Sequence, residues 1–90
     1  MSWTITPKAK LDYIRLRHAD AHGNAGFNYA LAIELREDVD WVEQRKSGRP
    51  RRDGMLVYRG RKSRRYQYVV DPRTEPYTLI EVRPEHESDH

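Results

Sequence analysis

The chain has no cysteine, which excludes both a disulfide framework and a thiolate metal site. Its four histidines are too scattered to replace one: His18 and His22 stand four residues apart, but nothing near them supplies a third ligand. Long apolar runs are missing too. No stretch approaches the ~20 residues of a membrane span, and the start, Met1 to Thr6, has neither the basic residues nor the apolar run of a secretory signal. A soluble, cytoplasmic protein without membrane contact is the expectation. A phosphate-binding glycine loop is also lacking, because Gly54 and Gly60 fall between candidate strands instead of opening a helix. What remains is 90 residues, 37% hydrophobic and 34% charged, enough for one thin core under a charged surface. One domain over residues 1–84 with a polar tail at 85–90 is expected.

Net charge is only +3, but it is unevenly spread. Residues 45–65 carry ten Lys/Arg against one Asp/Glu, whereas the segments on either side are both net acidic. Eight of the ten are arginine, whose planar fork suits bidentate contact with phosphate or carboxylate. A polyanion is the natural partner, and nucleic acid the commonest. Arg49, Arg51, Arg52, Arg59, Arg61, Lys62 and Arg64 are the candidate contacts, with Tyr66 available to stack on an unpaired base.

Alternation of Trp3 and Ile5 with Ser2 and Thr4 marks a short strand. Thr6-Pro7 reads as a helix start, since threonine caps free backbone N–H groups and proline at the first position wastes no donor. The helix carries Leu11, Ile14, His18 and Ala21 as its apolar stripe, widened by Tyr13 and Leu16, and ends near Gly23. Asn28 caps a second helix from Tyr29 to about Arg45, with Leu31, Leu35, Val39 and Val42 on one face and Glu34, Glu37, Asp38 and Glu43 on the other. Its acidic exposed face is the wrong charge for a groove-reading helix. Lys46 to Gly54 is polar, with two glycines and a proline, and reads as a loop. Strands follow at Met55–Arg59, Arg64–Val70 and Tyr77–Arg83, the first two joined by a turn at Gly60 to Ser63. On the middle strand Tyr66, Tyr68 and Val70 share one face, and Arg65, Gln67 and Val69 the other. The fold class is α+β in the order β-α-α-β-β-β, an antiparallel sheet with both helices packed on one face and the other face wet.

This order, the lysine-bearing helix start of Trp3 to Lys10, the basic hairpin of Met55 to Val70 and the last strand ending in Arg83 together resemble the RelE/ParE superfamily of bacterial toxins. The family's Gly-x-Tyr-Arg appears here as Arg64-Arg65-Tyr66-Gln67, without the glycine and with Arg and Tyr exchanged. The resemblance implies an endoribonuclease that drives a ribose 2′-OH onto its own phosphate. Arg65 and Arg83, with Arg61 in support, would stabilise the phosphate charge. His86 would move the proton. No metal or organic cofactor is implied; RNA, in some members ribosome-bound message, and an antitoxin protein are the implied partners. The same resemblance leaves open a ParE-like gyrase inhibitor that binds without cutting, and the basic run alone leaves open a non-toxic RNA- or DNA-binding module.

Overall fold

Residues 2–20, 29–45, 48–61 and 65–85 are described by the computed structural model. Strand β1 (Thr4–Ile5) leads into helix α1 (Pro7–Asp20), followed by helix α2 (Tyr29–Arg45) and strands β2 (Arg49–Pro50), β3 (Leu56–Arg59), β4 (Tyr66–Asp71) and β5 (Thr78–Pro84). The fold is α+β, as the periodicities lead one to expect, with a sheet ordered β1-β5-β4-β3-β2. That sheet is mixed instead of purely antiparallel, because β1 lies parallel to β5. The expected helix end near Gly23, the turn at Gly60 to Ser63, the Asn28 cap and the tail fall wholly or partly outside the described residues.

Threonine capping opens α1 as its sequence suggests: the Thr6 hydroxyl accepts the Ala9 N–H at 3.2 Å, and Pro7 occupies the first helical position. The stripe of α1 is turned from the expected one. Leu11 is 52% exposed, and the buried residues are Ala9 and Tyr13, with Leu16 packed against the same core. Tyr13 can face inward because its hydroxyl donates to the carboxylate of Asp38 at 2.6 Å, which meets the need of a buried phenol for a partner. Helix α2 contributes Leu35, Val39 and Val42 to the core, as its spacing requires, and buries Asp38 beside them.

Between the helices and the sheet lies one cluster in which these side chains meet Tyr58, Tyr66, Tyr68, Val70, Leu79 and Val82. Trp3 closes one end, 4.8 Å from the Tyr58 ring and stacked with Tyr77 at 6.3 Å. Since β1 is only two residues long, the outer edge of β5 is open beyond it. There Asp12 of α1 accepts the Val82 N–H at 3.2 Å, occupying a ladder donor that would otherwise be bare.

The stretch read as a loop before Met55 contains a strand. Arg49 and Pro50 pair with Val57 and Leu56. The connection closes through Arg51 N–H to Met55 C=O at 2.8 Å and Gly54 N–H to Arg51 C=O at 3.0 Å, with Gly54 at φ 88°. A left-handed residue is what a turn this tight needs, and glycine adopts it without a side-chain clash. Proline is tolerated because β2 is the sheet's edge.

Candidate nucleic-acid interface

Cross-strand register decides which basic side chains share a surface. Arg59 of β3 lies opposite Gln67 of β4, and Gln67 opposite Arg83 of β5. Paired residues point to the same side of a sheet, and their neighbours in the chain to the other. Tyr58, Tyr68 and Val82 point into the helix-covered core, so the row Arg59–Gln67–Arg83 points away from the helices. By the same logic Arg49, opposite Val57, shares this helix-free face with Val57, Val69 and Glu81. Gln67 and Val69 are buried even though no helix covers them, which long side chains on the flanking strands achieve by lying across the centre.

Within the row, Arg83 Nε donates to Gln67 Oε1 at 3.2 Å, which fixes the direction of the guanidinium. Arg59 Nε stands 3.0 Å from Glu85 Oε1, its side chain 75% exposed. An ion pair so open to water holds its partners weakly, at about 0–1 kcal/mol, so an incoming phosphate can exchange with the glutamate. Arg65 is exposed and enters β4 at φ 54°. Its backbone ties it to the same end of the sheet, receiving the Glu85 N–H at 2.8 Å and donating to Arg61 C=O at 3.0 Å. Arg65, just before β4, and Arg83 of β5 therefore lie at one end of the sheet; His86, Lys62 and Arg64 lie outside the described residues.

The remaining members of the basic run go elsewhere. Arg51 is committed to its own turn, clamping Asp53 through two bonds of 3.0 and 2.6 Å. That guanidinium, helped by the Met55 N–H, lowers the Asp53 carboxyl to about 2. Arg52 and Arg49 are exposed, and neither is ion-paired among the described residues. Arg61, expected beside the phosphate, turns to the helix side, where its Nε is 3.4 Å from Asp38 Oδ1 and its guanidinium 5.7 Å from the Trp41 ring. The Nε contact is close enough for ion pairing but lacks hydrogen-bond geometry. Tyr66, expected to stack on a base, is 3% exposed and meets Tyr13 edge-on at 5.8 Å. Its ring is core, because the alternation that puts Gln67 outward puts Tyr66 inward.

Two residues of the face, Gln67 and Glu85, are not among the candidates that the sequence marks. Gln67 was legible as an outward position through strand alternation, although nothing marked it as the partner of Arg83. Glu85 carried no signal at all, since its contact with Arg59 depends on β3 and β5 flanking β4. Chemically, the face offers guanidinium groups spaced across three strands and a carboxylate that can yield to an anion. No group of three or more His, Asp or Glu among the described residues is arranged to hold a metal, and no helix among them is long and apolar enough to cross a membrane. Compared with protein-family models, curated proteins and solved structures, the chain matches none.

Proposed function

We propose that the protein is a RelE/ParE-like, toxin-type endoribonuclease of the cytoplasm, which holds the sugar–phosphate backbone of RNA on the helix-free face of its sheet. The observation that carries this reading is the in-register row Arg59–Gln67–Arg83, flanked by Arg49 and Arg65. Phosphate diesters are planar-fork targets, and arginine meets two of their oxygens at once. RNA brings its own nucleophile, so the protein's task is to stabilise charge as the 2′ oxygen attacks and to move protons. Arg83, oriented by Gln67, serves the first need, with Arg59 and Arg65 beside it. His86, next in the chain to Glu85, serves the second. An antitoxin that covers this face would compete with RNA for the same arginines.

Single-turnover cleavage of a labelled RNA, free or as ribosome-bound message, tests the reading. Arg83→Ala should lower the rate by ~10²- to 10³-fold, as for other preorganised charge stabilisers, and Arg83→Lys should restore part of the loss because a point charge grips one oxygen instead of two. His86→Ala should lower it by ~10²- to 10⁴-fold while changing RNA affinity little. A wild-type protein that forms no cyclic-phosphate product in either format but arrests growth would support a ParE-like inhibitor of gyrase instead. One that binds RNA or DNA with neither effect would support a non-toxic binding module.

A further inference from the structure

On the opposite side of the sheet, the two helices are tied together by Tyr13–Asp38 and by Arg17–Glu34 at 2.9 Å. Beside β1 they leave a groove of about 490 Å³ walled by Ile5, Ile14, Leu31 and Leu35, with Trp3 in its lining. Its volume falls in the ~300–1,000 Å³ range of small-molecule sites. Two cations, Lys10 and Arg36, also line it, and no acid does. Lys10 is exposed and its ammonium is unpaired among the described residues. Arg36 spends Nη1 on the Trp3 carbonyl at 2.9 Å and Nη2 on Asp40 at 3.1 Å. Its Nε–H is enclosed and has no acceptor.

An apolar wall with an unspent ammonium and a second cation in its lining calls for a ligand that is itself divided, with a hydrocarbon body and an anionic head. We propose that this groove binds a small amphipathic carboxylate of the aliphatic acyl or aryl class. The carboxylate supplies acceptors to the Lys10 ammonium and shares the lining with the Arg36 guanidinium, and the apolar body covers Ile14, Leu31 and Leu35. The volume favours such a small molecule over a protein partner, whose interface would cover ~800 Å² on each side. Because the site faces away from Arg59 and Arg83, its occupancy is independent of RNA binding, and its failure would leave the proposed nuclease untouched.

The chain's two tryptophans make the test direct. Trp3 lines the groove, whereas Trp41 lies elsewhere on α2 with the Arg45 guanidinium 4.2 Å above its ring. In the full chain carrying Trp41→Phe, Trp3 emission should change saturably with decanoate below its micelle concentration. Lys10→Glu should weaken decanoate by roughly tenfold, the worth of one charge-assisted hydrogen bond, and leave decanol unaffected. Ala32 is an exposed residue in the lining, so Ala32→Phe should fold normally by circular dichroism and weaken both ligands. The proposal is overturned by the absence of a saturable response to decanoate, by equal binding of decanoate in Lys10→Glu and the parent, or by a folded Ala32→Phe that binds like the parent. A saturable response to an acidic amphipathic peptide with none to decanoate would equally overturn it, in favour of a protein partner.

Discussion

A single carboxylate, that of Asp38, ties the helices to the basic hairpin. It is 3% exposed, and a buried charge is tolerable only when its partners are in place. Tyr13 donates to one oxygen at 2.6 Å and Arg61 stands 3.4 Å from the other. Tyr13→Phe removes one donor with almost no change in volume, so it should cost about 1–3 kcal/mol, the penalty of a poorly satisfied buried acceptor, measured by urea unfolding at pH 8. Burial first, and then the bond to Asp38, raise the Tyr13 hydroxyl above the ordinary tyrosine value. A raised value means the folded state prefers the protonated phenol. The stabilisation is therefore complete below the unfolded tyrosine pKa of ~10 and declines as pH rises past it. Tyr13→Phe should remove much of that alkaline loss; the Tyr58 hydroxyl, raised mainly by burial, accounts for part of the rest. An equal alkaline slope in both proteins would refute the role given to Tyr13. None of this was legible from the chain. Asp38 falls among acids on the polar side of α2, and its partner Tyr13 is 25 residues away.

At the scale of elements, legibility followed locality. Helix α2 was read with its observed bounds because four apolar side chains repeat at helical spacing and the segment ends at a polar loop. The three later strands were read to within two residues at their ends from alternation and turn residues alone. What escaped were features with distant causes. Strand β1 pairs with β5 across more than 70 residues, and nothing local encodes that register. Strand β2 consists of Arg-Pro, which has no strand preference, and exists because the Gly54 turn folds it back onto β3. The buried stripe of α1 departs from its apolar spacing because Leu11 is more apolar than Ala9, while the helix is rotated to bring Tyr13 to Asp38. The two orientations make different predictions. Leu35→Ala should cost roughly 2–5 kcal/mol, as for other buried leucines, whereas Leu11→Ala should stay within about 0.5 kcal/mol, like other surface changes. Thermal or urea unfolding of both variants decides it, and comparable losses would return α1 to the orientation read from its sequence.

The whole molecule divides a basic run that is continuous in the chain. Read along the sequence, residues 45–65 form one patch with a single partner. In three dimensions Arg61 neutralises Asp38 on the helix side, Arg51 clamps Asp53 in a turn, and Arg49 and Arg59 reach the helix-free face. There they are joined by Arg83, which lies outside the run altogether. Folding thus sorts arginines of equal charge between the helix-free face and the rest of the molecule, and salt dependence can tell them apart. Each phosphate neutralised on a single strand releases condensed counterions and adds ~0.7 to the slope of log affinity against log salt. Replacing Arg49, Arg59 and Arg83 together by alanine should flatten that slope for single-stranded RNA by up to about 2. Replacing Arg51 and Arg73 together removes a similar kind of charge from exposed turns. Each guanidinium is already forked onto an aspartate by two hydrogen bonds, Arg51 onto Asp53 at 3.0 and 2.6 Å and Arg73 onto Asp71 at 2.9 and 3.0 Å, so that pair should flatten the slope less per arginine removed, while lowering affinity slightly. Filter binding or fluorescence anisotropy across a range of salt concentrations measures both. Equal flattening per arginine removed would mean that RNA responds to net charge alone, and the helix-free face would lose its claim to be the binding surface. A loss confined to the first set would place the phosphate backbone across β3, β4 and β5, along the row that the register of the sheet creates.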